Sequence, residues 1–153
     1  MSEGTRGGPR GKGGQRKSGG LDDFVAGLDG RVRAVLEPLR ARVQELDGVT
    51  EGIKYASMAG EWTPAAYVGS RQLYHVHIKD GMHGVMTVTP DEAPAFLAAS
   101  LPEGIKQAIT RGRARARTWL SVPLHSPRHV PAFMEMVAIK HRLLCERASP
   151  RRR

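Results

Sequence analysis

The chain has 153 residues, a net charge of +9 and a single cysteine, Cys145. It holds no run of about 18 apolar residues and no apolar segment behind Met1, so the sequence predicts neither a membrane span nor a secretory signal. The length predicts a single globular domain. One cysteine forms no internal disulfide, and we therefore expect this domain in the cytoplasm.

The positive charge is concentrated at the two ends of the chain. Residues 1–20 carry a net charge of +4 and residues 146–153 carry +3, which leaves +2 for all the residues between them. The first segment is almost entirely Gly, Ser, Pro and basic residues, without large apolar side chains to offset the entropy cost of ordering it. We predict a disordered basic arm at 1–20, a folded domain at 21–145 and a basic tail at 146–153.

Two helices are predicted at the start of the domain. Residues 21–28 form a short apolar stretch, and residues 29–46 carry apolar side chains at spacings of three and four, which is typical of an amphipathic helix. Asp29 is the expected N-terminal cap of the second helix. Pro38 lies in its middle and removes a backbone hydrogen bond, so we expect a kink or a restart there.

Four short runs rich in Val, Ile, Tyr and Thr follow, and they predict an antiparallel meander. These strands are expected at residues 52–58, 64–70, 72–79 and 84–89.

The last part of the chain predicts helices on either side of one more strand. Short helices are expected at 89–100 and 101–110, the first beginning at Thr89 and Pro90, and residues 115–124 return to a strand. A final helix is expected at 126–148. Because helices and strands are segregated, the pattern indicates the α+β class and not a parallel βαβ alternation.

The layout resembles a known family. The segments "LDDFVAGLDGRVRAVLEPLRARVQEL", "GVTEGIKYASM", "RARTWLSVPL" and "AIKHRLL", in this order, are similar to the YdhG-like superfamily of small bacterial domains, and the resemblance covers residues 21 to about 145. It implies a single compact α+β domain in which a curved antiparallel sheet packs against N- and C-terminal helices, in cytoplasmic proteins. Some members have been discussed as frataxin-like iron chaperones, and the resemblance defines no catalytic residues.

Three closely spaced histidines raise the question of a metal site. His75 and His77 share a face because side chains alternate along a strand, and we name them as candidate metal ligands. A two-residue hairpin turn at Asp80-Gly81 places His83 on the opposite face, and only a register slip of one residue brings all three together. Since a tight transition-metal site needs three or four converging ligands, the alternative is that His75 and His77 line a polar face of the hairpin.

The segment 111–118 alternates arginine with small residues. If this segment enters a strand, its arginines and the following tryptophan form a ladder on one face. The arginines of such a ladder can bind phosphates, and the tryptophan can stack on a base. The members of that ladder are Arg111, Arg113, Arg115, Arg117 and Trp119. The alternative is a solvated sheet face that follows a helix end at Gly112.

The final predicted helix carries two further candidates. Cys145 follows His141 by four residues, so the two side chains lie on one helix face and resemble a thiol nucleophile with its base. A free cysteine is more often a small apolar residue. Lys140 falls within the apolar stripe of this helix, and we expect its stem to snorkel towards solvent.

Aromatic residues in or beside the predicted sheet either converge on a small-ligand groove or belong to the core. They are Tyr55, Trp62, Tyr67, Tyr74 and Trp119.

No Gly-rich phosphate loop, paired-carboxylate spacing, nucleophile elbow or Cys/His zinc pattern is present, which argues against an enzyme without deciding the matter. We expect a small cytoplasmic binding or accessory domain with an unidentified ligand or protein partner and no resident cofactor. Two alternatives stay open. One is a nucleic-acid-associated protein whose basic arm and Arg111 to Arg117 face make weak, salt-sensitive contacts. The other is a frataxin-like iron or metal carrier that uses His75 and His77.

Overall fold

The computed structural model describes the backbone of residues 16–17 and, in full, residues 20–112 and 114–148. Most of the predicted arm at 1–20 and residues 149–153 of the predicted tail therefore lie outside the described residues.

Six strands form one open antiparallel sheet in which each strand pairs with its neighbours in chain order. They are β1 (Arg16–Lys17), β2 (Val49–Ala56), β3 (Glu61–Val68), β4 (Arg71–His77), β5 (His83–Val88) and β6 (Thr118–Pro123). The predicted α+β class is confirmed. The meander forms because its β-branched and aromatic runs are separated by tight turns, at which Gly60 and Gly69 adopt positive φ.

The first two helices are α1 (Leu21–Ala26) and α2 (Gly30–Val43). Asp29 caps α2 as predicted, because its carboxylate accepts a hydrogen bond of 2.7 Å from the backbone N–H of Arg31.

Helix α2 continues through Pro38 and does not restart there. The carbonyl of Ala34 loses its helical partner at this point, but Ala34 and Pro38 both lie on the exposed side of the helix, where water can replace the missing hydrogen bond.

The remaining helices are α3 (Ala93–Leu97), α4 (Glu103–Arg111) and α5 (Val130–Ala148), the last preceded by a 3₁₀ turn at Pro127–His129. Helix α5 includes residues 146–148, which the sequence assigned to the tail. No helix of the described part of the chain is long and apolar enough to cross a membrane.

The hydrophobic core lies between the helices and one face of the sheet. Tyr74 of β4 meets Phe133 of α5 edge-on, with ring centroids 5.4 Å apart, and a Cβ added to Gly84 of β5 would collide with the same Phe133 ring. Glycine is therefore what allows α5 to approach the sheet this closely. The opposite face of the sheet is separate from this core: Ala65 and Val85 lie on it and are buried, but they do not belong to the core cluster.

Candidate functional site

The β4–β5 hairpin brings the three histidines to one face of the sheet. His77 pairs with His83, and His75 pairs with Val85. Cross-strand partners share a face, so the prediction that His83 lies opposite the other two is wrong by one residue of register.

The β4–β5 pairing ends at His77, and the residues at both ends of the loop bond to other strands. The backbone N–H of Ile78 donates a hydrogen bond of 3.1 Å to Oε1 of Glu61 on β3, and the carbonyl of Met82 accepts one of 2.9 Å from the N–H of Leu124 beyond β6. Asp80 (φ 57°) and Gly81 (φ 95°) still adopt the left-handed conformation expected of an Asp-Gly turn. They lie within a longer loop, residues 78–82, and do not form a two-residue connection.

His75 is 3% exposed and lies between two polar neighbours. Its Nε2 is 3.2 Å from Nε2 of His77, and its Nδ1 is 2.9 Å from Nε2 of Gln72. The Oε1 of Gln72 accepts a hydrogen bond of 2.8 Å from Nζ of Lys54. Because an ammonium group only donates, Lys54 fixes which end of the Gln72 amide faces His75.

These contacts define a polar chain, Lys54–Gln72–His75–His77, with a single direction, and Glu61 lies beyond its His77 end. The Gln72 amide donates to Nδ1 of His75, which leaves the hydrogen of the neutral His75 ring on Nε2, from where it is donated to Nε2 of His77. His77 then carries its own hydrogen on Nδ1, 3.5 Å from Oε1 of Glu61.

The electrostatics of the polar chain support this assignment. Burial is the main cause that lowers the pKa of His75 to about 3, and the charge of Lys54, with the charge that the His77 ring carries when protonated, acts in the same direction. His75 is therefore neutral at neutral pH, as the hydrogen-bond directions require. Burial also lowers the pKa of Lys54.

The polar chain ends in a cleft of about 330 Å³ between the β2–β3 turn and the β4–β5 loop. The cleft is lined by Met58, Ala59, Glu61, His77, Lys79 and Asp80. Met58 is fully exposed at this cleft, whereas the side chain of Glu61 is only 10% exposed. Among the residues that the structure describes, His77 is the only basic side chain in ion-pair range of Glu61.

The aromatic residues divide between the two faces of the sheet and do not converge on one groove. Tyr55 and Trp62 contact each other with ring centroids 5.4 Å apart, and Trp62 packs against the core. Trp119 lies on the histidine face, 58% exposed, with its ring centroid 6.4 Å from that of His75.

The predicted arginine ladder does not form, because β6 begins only at Thr118. Arg111 is the last residue of α4, and Arg115 and Arg117 lie in an exposed turn; Arg113 lies outside the described residues. The helix is capped at Gly112, which packs directly against Thr118, where a Cβ would collide with the threonine side chain. Arg115, Arg117 and Trp119 therefore share no strand face.

The histidines do not complete a metal site in the described part of the chain. His75 and His77 lie together, whereas the ring of His83 contacts His125, which in turn contacts His129, with centroid distances of 5.3 and 6.0 Å. No group of three or more His, Cys, Asp or Glu residues that could hold a metal ion is present within residues 20–112 and 114–148.

Cys145 and His141 meet, as their spacing predicts, but not as a catalytic pair. The Sγ of Cys145 is 3.4 Å from Nε2 of His141, and the same nitrogen donates a hydrogen bond of 2.7 Å to the carbonyl of Asp47. A nitrogen that carries this hydrogen cannot take the proton of the thiol.

Lys140 is buried, and the prediction that it snorkels is wrong. Its Nζ donates to Oε1 of Glu92 and to the carbonyl of Thr87, each at 2.7 Å, and Arg147 contacts the second Glu92 oxygen at 3.0 Å. Burial alone would raise the pKa of Glu92. The hydrogen bonds from Lys140 and from the Thr89 N–H, with the charges of Lys140 and Arg147, hold that pKa below its ordinary value. This cluster ties α5 to β5 and to the start of α3.

Sequence reasoning named His75 and His77 but missed Lys54, Gln72 and Glu61. The signal available for Lys54 and Gln72 was their position in the predicted strands at 52–58 and 72–79, whereas Glu61 fell between two predicted strands; the side of the sheet on which each side chain lies depends on strand register.

No protein-family model, no curated protein and no solved structure matches this chain. The structure itself defines a small α+β domain with a histidine-bearing polar face and a cleft at one end of that face.

Proposed function

We propose that this chain is a small binding domain and that the cleft at His77 and Glu61 takes a small organic cation, such as a protonated alkylamine. The observation that carries the proposal is the carboxylate of Glu61, whose side chain is only 10% exposed and which has no Lys or Arg in ion-pair range among the described residues. A charge that is largely removed from water without a full counter-charge is costly, and a cationic ligand that hydrogen-bonds to it offsets that cost.

The surroundings of Glu61 support a cation over an anion. Asp80 adds a second carboxylate to the cleft against the single charge of Lys79. Nδ1 of His77 lies 3.5 Å from Oε1 of Glu61 and makes no hydrogen bond to it, so the carboxylate keeps acceptor capacity for a ligand.

The size and lining of the cleft limit the ligand. A volume of about 330 Å³ lies at the lower end of the range for small-molecule sites, about 300 to 1,000 Å³. Met58 and Ala59 offer apolar contact to a short carbon chain. We propose binding and not catalysis because no serine or cysteine nucleophile lines the cleft.

The sequence resemblance supports a wider assignment within the same proposal. The order of helices and strands agrees with what similarity to the YdhG-like superfamily implies, so we propose a cytoplasmic binding or accessory domain of that kind.

The test is a thermal unfolding screen of the full chain with alkylammonium and alkylguanidinium ions of two to six carbons and with the matching carboxylates. A cation at ten times its Kd should stabilise the fold by about 1.4 kcal/mol. The Glu61→Gln variant keeps an acceptor for Ile78 but loses the charge, so it should not respond, whereas exposed Glu135→Gln should respond like the natural chain. Carboxylates that stabilise as well as the cations, or an unchanged response of Glu61→Gln, would contradict the proposal.

Nucleic-acid association is a second candidate, favoured by the net charge of +4 on residues 1–20. Affinity for an oligonucleotide should fall steeply with salt and on deletion of these residues, and an unchanged affinity after deletion removes the role of the arm.

Metal carriage by His75 and His77 stays a prediction, suggested by the 3.2 Å between their Nε2 atoms. It requires that the purified chain retain metal and that the double alanine variant lose it; a metal-free chain without measurable affinity excludes it.

A further inference from the structure

Strand β6 is the last strand of the sheet, and no described strand pairs with its outer edge. The backbone N–H of Leu124, just beyond β6, donates to the carbonyl of Met82 on the β5 side at 2.9 Å. Since the direction of backbone groups alternates along an antiparallel strand, the N–H and C=O groups of Trp119 and Ser121 point away from β5. These groups are available to a further strand, and Pro123, which has no N–H, limits how far that strand can extend.

A groove accompanies this edge. Helix α4 contacts β6 closely where Gly112 meets Thr118, and the space between the two elements forms a groove of about 420 Å³. Its walls are Pro102, Gly104, Ile105 and Ala108 on one side and residues 119–123 on the other. The groove is therefore lined mainly by apolar side chains and runs beside backbone groups that no described strand pairs with.

Positive charge predominates around the groove. The exposed Glu103 lies between the lining residues Pro102 and Gly104, but from Gly104 to Met134 the sequence contains no Asp or Glu. The basic residues of this segment are Lys106, Arg111, Arg113, Arg115, Arg117 and Arg128. Of these, Arg111, Arg115, Arg117 and Arg128 are exposed. A partner that lies along this edge gains from carrying negative charge.

We propose that an extended acidic peptide segment of a partner protein adds to β6 at Trp119–Ser121, between β6 and α4. Its backbone pairs with the outward N–H and C=O groups, its small apolar side chains enter the groove beside Ile105 and Ala108, and its carboxylates face the arginines around the edge. This surface is distinct from the cleft at Glu61, so either can be present without the other.

A peptide explains the edge better than a nucleic acid does. The available backbone donors and acceptors alternate at strand spacing, which matches another polypeptide backbone. The arginines and Trp119 share no strand face on which successive bases and phosphates could lie in register.

The test measures fluorescence anisotropy of the full chain with labelled probes. The probes are an acidic hexapeptide that alternates Glu and Val, its Lys-Val counterpart, the acidic peptide with alternate backbone nitrogens methylated, and a ten-nucleotide thymidine oligomer. The main variant is Ser121→Pro, which removes an outward N–H, and its matched control is Ser121→Ala, which keeps it. A charge-reversed variant at Arg111, Arg115 and Arg117 is compared with one at the exposed Arg31, Arg42 and Arg71.

We expect the Glu-Val peptide to bind at least tenfold more tightly than the Lys-Val peptide. Loss of one backbone hydrogen bond in Ser121→Pro should weaken it about five- to tenfold, and Ser121→Ala should not. The methylated peptide tests the same bond on the natural chain, should the proline variant not fold.

Three results would overturn the inference. Insensitivity to both the proline and the backbone methylation excludes strand addition. Binding of the oligonucleotide without the peptide makes this edge a nucleic-acid surface. Absence of binding by every probe at millimolar concentration shows that the edge is not a docking surface.

Discussion

Replacing Lys140 by methionine should destabilise the fold by about 3 kcal/mol, although the change keeps an apolar stem and removes little more than a charge. Lys140 is 4% exposed, and its Nζ supplies hydrogens to Oε1 of Glu92 and to the carbonyl of Thr87, both at 2.7 Å. Removing the ammonium group leaves a carboxylate of 0% exposure with one cation fewer.

The size of the expected loss in stability depends on the contacts that Glu92 keeps. Breaking a fully buried ion pair by removing one partner costs about 3 to 5 kcal/mol. Glu92 retains the hydrogen bond from the Thr89 N–H at 2.9 Å and the contact with Arg147, whose side chain is 31% exposed. These two contacts place the expected loss at the lower end of the range.

Urea unfolding followed by circular dichroism measures this loss, with exposed Lys79→Met as the control. The double variant Glu92→Gln, Lys140→Met removes both charges, so it should be less destabilised than Lys140→Met alone. A Lys140→Met chain within about 1 kcal/mol of the natural one, or a double variant whose loss equals the sum of the two single losses, refutes this account of the cluster.

Further changes in unfolding free energy are expected elsewhere. Gly84→Ala should cost about 1 to 3 kcal/mol because its Cβ collides with Phe133, whereas Gly104→Ala in open space should be neutral or stabilising; equal effects in urea unfolding would exclude the close approach. Asp29→Ala should cost about 1 kcal/mol through loss of the α2 cap, and a loss below the error of urea unfolding argues against that cap. Burial lowers the pKa of His75 from 6.5 to about 3, so the unfolded chain binds the extra proton between these values, and stability should fall with decreasing pH by about 1.4 kcal/mol per unit. His75→Gln should flatten this acid limb, and an identical pH dependence would show that His75 does not titrate in this way.

The helices and the antiparallel meander were predictable because their signals are local. The spacing of apolar residues in α2 and the cap at Asp29 depend only on neighbours within a few residues, and both predictions are confirmed. The hairpin register is different. Asp80-Gly81 adopts the expected turn conformation, but it lies within a longer loop whose ends bond to other strands, Ile78 to Glu61 and Met82 to Leu124. No rule for hairpin turns includes such contacts.

The same distinction between local and distant contacts applies to two other wrong predictions, the arginine ladder and the snorkelling of Lys140. The alternation after Arg111 has the period of a strand, yet the chain stays helical to Arg111, β6 begins only at Thr118, and Gly112 packs against Thr118 across the intervening turn. Lys140 lies in an apolar stripe, where snorkelling is the usual solution, but its partner Glu92 is brought to it by the fold from 48 positions away. Pairing between distant residues decides both the sheet register and the burial of charge, and a single sequence does not specify it.

The most direct test of the proposed function is an NMR titration of the chain with n-butylammonium chloride, with sodium butyrate as the matched anion. If the cleft binds cations through Glu61, the ring signals of His77 and the amide signal of Ile78 should shift saturably with n-butylammonium. They should not shift with butyrate, nor with n-butylammonium in Glu61→Gln. Signals that stay fixed with n-butylammonium, or that move equally with butyrate, would contradict the central claim that this cleft is a cation-binding site.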